Sequence, residues 1–556
     1  MSFSSAIVLT DLNDFITPSQ ACIKPAMVKP VSESALTSVQ TNEKGNYYEV
    51  TKEGTHTKLE AAKISLNDCL ACSGCITSAE SVLITLQSHK EVFSVIEANA
   101  LLEKEQRLLI CVSISPQSRA SMAAKYGLTT DQIRKRLAWF FKAHLSVDHV
   151  LDIAFARDFS LIESATEFVR RFKENSSDPQ QKLLPVVTSA CPGWICYAEK
   201  THPDILPLID STKSPQQIMG SVIKDYLANQ LDVEPSRIYH VTVMPCYDKK
   251  LEASRQDFYN DIYKTRDVDC VITTGEVERM VLEQGMDIRS VQEIEEDTMF
   301  EKLGKSQGSS SGGYLSHTMR YAAQSLFGVT LSPEDIQDGT NGVTIVPGRN
   351  PDSTDVSFTP PGATQPALRF AYSYGFRNIQ NLVRKVRPGK PLTTLLNPRR
   401  VNSSAASGSG KYHYVEVMAC PSGCINGGGQ LKPDSILSTT DAEAGNPKAP
   451  AEHQDGAVDQ PPATQKEAGN AIAVPEVEPI PIDNLSKKQW VALADAAYQS
   501  SDAPVELPEG NTAVKRLYRE WLGGSDSKKA RTLLHTHYHA VEAPILTSTS
   551  GLVEKW

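Results

Sequence analysis

The chain has 556 residues, a formal net charge of −10 at pH 7 and eleven cysteines. The negative balance argues against a nucleic-acid surface as its main business, and no apolar run approaches the ~18 residues of a membrane helix. An odd cysteine count in a chain long enough to bury its own cores excludes a secreted disulfide framework, and the opening MSFSSAIVLTDLNDF lacks the basic start of a signal peptide.

Near the N-terminus, Cys69, Cys72 and Cys75 stand in DCLACSGC, with Cys22 upstream in SQACIKP. The C-x2-C-x2-C spacing lets one tight loop offer three thiolates to three irons of a cubane, and Gly74 relieves backbone strain between them. Structural zinc favours two separated C-x2-C knuckles instead. The fourth iron needs another thiolate, and no C-x3-C-P follows, so Cys22, in a polar, Pro-flanked segment, is the expected fourth ligand. Next, RLLICVSIS reads as a buried strand in which Cys111 is a small hydrophobe. Thr129 with Gln132 opens a helix that carries Ile133, Leu137, Phe140, Phe141 and Leu145 on one face.

Three apolar, β-branched runs then break into a cysteine followed by Pro, Gly or polar residues: LLPVVTSACPGW (183–194), HVTVMPCYDKK (240–250) and YVEVMACPSGCINGGGQ (414–430). Buried parallel strands read this way as they enter a loop, and open α/β sheets bind ligands just beyond the carboxyl ends of their strands. Cys191, Cys246, Cys420 and Cys424 are therefore expected to converge on a metal. Gly423, Gly427, Gly428 and Gly429 permit close approach of backbone N–H groups to an anionic cluster, and the run lacks the Gly-Lys-Ser/Thr ending of a phosphate loop. Lys249 either offsets the cluster's charge or is a solvated lysine.

Between these runs, Ser214 and Gln217 form an expected capping box, with Pro215 at the first helical position of a helix over 214–231 and Ile218, Val222 and Tyr226 at helical spacing. Cys196 in a helix, Cys270 in the strand DVDCVITT and the HTHYH run (535–539) take structural readings. Segments 305–313, 350–366 and 402–410 read as loops or insertions. The stretch 440–483, rich in Ala, Pro, Glu and Gln, is expected to be disordered.

TSACPGW, MPCYDKKLE and EVMACPSGCINGGGQ resemble the three signature motifs of the iron-only hydrogenases. The likeness extends to DVDCVITTGEVERM and, as a small-subunit segment, to VKRLYREWLGGSDSKKARTLLHTHY; it spans about residues 60–430 and 485–540. The resemblance implies an α/β fold of two doubly wound hydrogenase-like subdomains with a cluster between them, plus a small N-terminal ferredoxin-like cluster segment. The expected divisions are an N-terminal cluster segment (1–105), the hydrogenase-like core (106–439), the disordered insertion (440–483), a helical small-subunit-like segment (484–545) and a tail (546–556). It also implies that Cys191, Cys246, Cys420 and Cys424 hold a [4Fe–4S] cluster, giving two such clusters with Cys22, Cys69, Cys72 and Cys75.

Three departures accompany the match: Ala190 stands where hydrogenases carry a proton-relaying cysteine, Ser422 replaces a glycine, and Leu431 replaces a proline. The added N-terminal cysteines resemble the eukaryotic hydrogenase-like (NARF-like) proteins, and within them the cytosolic iron–sulfur assembly branch. That branch implies an adapter without hydrogenase activity. It links an early P-loop scaffold complex to a late targeting complex with a WD-repeat propeller, serving cytosolic and nuclear iron–sulfur proteins. The expected location is cytoplasmic, with a nuclear one left open. A hydrogenase, or a two-cluster electron carrier, is the alternative. The ending GLVEKW makes Trp556 a candidate docking tag, with Lys555 in place of the acidic residue that the resemblance implies.

Overall fold

The computed structural model describes residues 84, 86–295, 297, 300, 308–386, 412–433, 485–500 and 506–540. It also describes three short antiparallel strands near the N-terminus, β1 (Ser38–Thr41), β2 (Tyr47–Val50) and β3 (His56–Lys58). Cys22, Cys69, Cys72, Cys75, Trp556 and the 402–410 and 440–483 segments lie outside the described residues.

Two sheets organise the rest. One is wholly parallel, in the order β10 (Cys270–Thr273), β7 (Ile238–Met244), β4 (Leu109–Ile114), β5 (His149–Asp152). β4, β7 and β10 are buried along nearly their whole length, as expected of strands covered on both faces by helices. Cys111 and Cys270 sit inside β4 and β10, fully buried, in accord with their structural reading.

The second sheet runs β11 (Val343–Pro347), β12 (Ser353–Phe358), β13 (Leu368–Tyr374), β14 (Tyr414–Met418), β6 (Val186–Thr188). β13, β14 and β6 are parallel, whereas β11, β12 and β13 form an antiparallel meander. The meander departs from a doubly wound pattern, and β12 within 350–366 corrects the loop half of the reading of that segment as a loop or insertion. In STDVSF, Thr354, Val356 and Phe358 turn inward at period two, and flanking Pro, Asp and Ser residues mask that alternation.

The 25-residue helix Ile153–Ser177 packs between the helices Tyr314–Phe327 and Pro215–Ser221. Thr129 and Gln132 form the expected reciprocal capping box; the helix Thr130–Trp139 continues as a π-helical turn, and Ile133, Leu137, Phe140, Phe141 and Leu145 are all buried. The second expected capping box closes on one side only. The Ser214 hydroxyl accepts from the Gln217 N–H and donates to Glu252 Oε1. Gln217 is buried in the core, so its side chain cannot reach back to residue 214. The helix itself is continuous to Leu231 through a π-helical stretch over Val222–Leu227.

Candidate metal centre

β6 ends at Thr188, and the chain turns through Ser189, whose hydroxyl accepts the Cys191 N–H at 3.1 Å and donates to the Val417 carbonyl of β14. Cys191 then caps the helix Pro192–Thr201, with Pro192 in the first-turn position where its missing N–H costs nothing. β7 ends at Met244 and runs through Pro245 to Cys246, just before the short helix Asp248–Ala253. β14 ends at Met418, and the loop beyond carries Cys420 and Cys424. A turn closes it, with Gly423 N–H donating to Cys420 O at 3.1 Å, Ser422 at φ +60° and Gly423 at φ +79°. Three of the thiols thus leave the mixed sheet, and Cys246 alone leaves the parallel one.

The four thiols feel one another. Burial raises Cys246 far above a free thiol, and the charges of Asp248, Cys420, Cys191 and Cys424 add to it. Burial, Cys191 and Cys424 do the same to Cys420. Burial and Cys191 push the Cys424 thiol up to about 12, while the Lys249 ammonium pulls the other way. Burial thus disfavours free thiolates at all four positions, and binding a metal would displace thiol protons. Backbone donors already aim at the sulfurs: Ala419 N–H reaches Cys191 Sγ at 3.4 Å, and Trp194 N–H also donates to it. Among the described residues no three His, Cys, Asp or Glu side chains close on a single ion. Four separate thiols fit a cubane, which takes one thiolate at each iron, better than a mononuclear site.

The glycines let the loops interlock. A Cβ on Gly427 would lie 2.3 Å from the Pro245 carbonyl oxygen, and one on Gly429 would lie 2.6 Å from Thr273 Cβ and Cγ2. In their native form, Gly429 N–H donates to Pro245 O at 2.9 Å and its carbonyl accepts Gly275 N–H at 3.0 Å. The tract after Cys424 is thereby stitched to the strand end that carries Cys246.

Lys249 is not a solvated lysine. It is buried, with Nζ 2.8 Å from Glu252 Oε2. Ala190 is half-buried beside a small cavity of about 30 Å³ that Ser189, Pro192, Cys196, Arg255 and Tyr538 also line, room for about one water. Its methyl group has no exchangeable proton. Cys196 sits on the Pro192–Thr201 helix, as expected, with its thiol raised to about 12 by burial. In the HTHYH run, His535 bridges Glu163 and Ser211, and His539 meets Asp257 at 3.0 Å; both are structural.

Three features carried no usable sequence signal. Ser311, within a Ser/Gly run, accepts the Cys424 N–H at 3.1 Å. Met418 Sδ lies 3.9 Å from Cys424 Sγ. The helix Lys487–Gln499 packs over the Cys424–Asn426 turn, its Trp490 indole donating to Leu431 O at 2.9 Å. The Leu431 N–H in turn donates to Ser121 Oγ at 3.2 Å, a bond that a proline there could not make.

A family model of the iron only hydrogenase large subunit, C-terminal domain, matches residues 109–428, and one of the iron hydrogenase small subunit matches 492–541. Curated relatives from rat and mouse, each named cytosolic iron-sulfur assembly component 3, are 44% and 45% identical over all of this chain and 99% of theirs. A relative from Xenopus tropicalis, named cytosolic Fe-S cluster assembly factor narfl, is 44% identical over the same shares. Solved structures of the [FeFe]-hydrogenase HydA1 from Chlamydomonas reinhardtii share the fold, with a TM-score of 0.59 at 24% identity over 82% of this chain and 99% of that one. The chain belongs to the iron-only hydrogenase family, alongside its cytosolic iron–sulfur assembly members.

Proposed function

We propose that this protein is a component of cytosolic iron–sulfur protein assembly that carries two [4Fe–4S] clusters and acts as an adapter, not as a hydrogenase. The observation that carries this reading is the full-length identity to relatives named as cytosolic assembly components. The site's chemistry agrees with it: four thiols, Cys191 buried and Cys246, Cys420 and Cys424 half-buried, stand at the strand ends, and a methyl group, Ala190, stands where the family's hydrogenases relay a proton. When bound, a cluster supplies one-electron redox chemistry and a cross-link between the loops that ligate it. The chain's own residues supply the rest. Cys191, Cys246, Cys420 and Cys424 bind, Ala419 and Trp194 N–H groups offset the charge of the Cys191 thiolate, and Lys249 paired with Glu252 lies buried nearby. Cys22, Cys69, Cys72 and Cys75 hold the N-terminal cluster. The two sheets act as two subdomains tied by the strand-end cluster, within the divisions 1–105, 106–439, 440–483, 484–545 and 546–556. The adapter joins an early P-loop scaffold complex to a late targeting complex with a WD-repeat propeller, in the cytosol, with Trp556 as a docking tag.

Anaerobic purification with iron and sulfide counting tests the site assignment. Cys191→Ala and Cys420→Ala each lose one cluster's worth of iron and loosen the two sheets to limited proteolysis. Cys22→Ala loses the other cluster only. Full iron in Cys22→Ala with half the iron lost in Cys111→Ala overturns the choice of fourth ligand. Hydrogen evolution by the cluster-replete protein at enzymatic rates overturns the adapter reading. Co-purification with the targeting complex that survives removal of Trp556 overturns the docking tag.

A further inference from the structure

Glu416 lies in the middle of β14, 2% exposed, on the same face as Met418, whose sulfur touches Cys424. Its Oε2 accepts the Leu315 N–H at the start of the helix Tyr314–Phe327, at 2.8 Å, and its Oε1 accepts the Tyr374 hydroxyl, also at 2.8 Å. No cation pairs with it among the described residues. Of the titratable groups around it, Tyr374 from β13 touches it, while Tyr314 from the helix and Cys424 from the loop after β14 feel its charge without touching it. A carboxyl buried without a cation is costly as an anion, so it takes a proton readily. Burial raises it to about 7, against the two donors, which lower it.

A route to solvent is also built. The Tyr374 hydroxyl lies 3.1 Å from Ser309 Oγ, and Ser309 is exposed. The loop that carries Ser309 also carries Ser311, the acceptor for the Cys424 N–H. Ser309, Tyr374 and Glu416 therefore form a two-step hydroxyl path from the surface to a carboxyl beside the ligand loop.

We propose that Glu416 is the proton partner of the strand-end cluster: its carboxylate takes up one proton through Ser309 and Tyr374 when the cluster accepts one electron, and releases it on oxidation. This rests on the reading that the four strand-end thiols hold a cluster. The electron comes from a one-electron donor. The proton comes from solvent: Tyr374 passes its own to Glu416 as it receives one from Ser309, and Ser309 regains one from surface water or buffer, so both hydroxyls are unchanged, one O–H bond of the solvent acid breaks and one O–H bond forms on Glu416. The net charge of the buried region then stays constant across the redox step, which removes the repulsion that a second buried negative charge would bring.

Redox titration of the anaerobic full chain with dithionite, followed by electron paramagnetic resonance from pH 6 to 9, tests this. Cys420→Ala identifies the strand-end signal by removing it. In the unaltered protein, the reduction equilibrium of that signal weakens above about pH 7, approaching tenfold per pH unit, equivalent to about 59 mV for a one-electron couple. Glu416→Gln keeps its iron and loses that dependence. Tyr374→Phe keeps the equilibrium dependence and slows proton uptake after rapid mixing with dithionite. A pH-independent signal in the unaltered, iron-replete protein overturns the proposal whatever the variants do, and so does an unchanged slope in Glu416→Gln. If Cys420→Ala keeps both iron and signal, the ligand assignment itself fails.

Discussion

Gly429→Ala isolates the interlock between the two sheets. Its backbone does not adopt the left-handed region, so the change acts through space alone. The new methyl carbon would meet Thr273 Cβ and Cγ2 at 2.6 Å and the Pro245 oxygen at 3.3 Å. Neither neighbour can yield, because Thr273 caps the helix Thr274–Glu283 and Pro245 is held by the strand end. Overpacking of this kind costs about 1–3 kcal/mol. Moving the tract away also breaks the hydrogen bonds to Pro245 and from Gly275, each worth about 0.5–1.5 kcal/mol. A total of roughly 2–6 kcal/mol follows, enough to separate the Cys424 loop from Cys246. The assay is urea denaturation paired with anaerobic iron counting, with Gly275→Ala as control, since a Cβ there meets nothing nearer than 3.8 Å. Gly429→Ala should unfold at lower urea and lose about half its iron, whereas Gly275→Ala should match the unaltered protein. Full iron and an unchanged midpoint in Gly429→Ala would refute the steric reasoning.

Three further outcomes are expected. Ser422→Gly should raise stability by about 1 kcal/mol, because the left-handed conformation at φ +60° no longer meets a Cβ; chemical denaturation at constant iron content measures it. Leu431→Pro should cost roughly 2–5 kcal/mol by removing the donor to Ser121 and part of a buried leucine side chain, seen as a lower midpoint with iron retained. His535, raised to about 9, against the opposing effect of burial, by its hydrogen bond to Glu163 and the Glu167 carboxylate 3.6 Å away, binds its proton more tightly in the folded chain. Its contribution is therefore complete below about pH 6.5 and lost as pH rises through 9. The stability of His535→Gln should vary less across that window, as thermal melts at stepped pH will show.

Much of the candidate centre was legible because its cysteines are marked by the residues around them. Each strand-end cysteine follows a β-branched run and precedes a Pro, Gly or polar break, and the structure does bring Cys191, Cys246, Cys420 and Cys424 together. Helix starts with reciprocal side chains, such as Thr129 with Gln132, were equally readable. What escaped depends on tertiary surroundings. The Ser214 cap looks the same in sequence but is half formed, because burial turns Gln217 into the core. Strand β12 hides its inward Thr354, Val356 and Phe358 among turn-forming residues. Ser311 and Trp490 reach the ligand loop from 113 and 66 positions away from Cys424, distances over which no local pattern carries information.

The uneven division of the thiols, three beyond one sheet and one beyond the other, has a consequence for the order of events during maturation. On the proposed reading, a folding chain in which only the mixed sheet has closed would already present Cys191, Cys420 and Cys424, three of the four thiols that would hold a cluster. Cys246 arrives only when the parallel sheet docks and Pro245 meets Gly429. Insertion of a cluster and closure of the molecule would then become one event, and a chain without iron would lack the rivet between its two sheets.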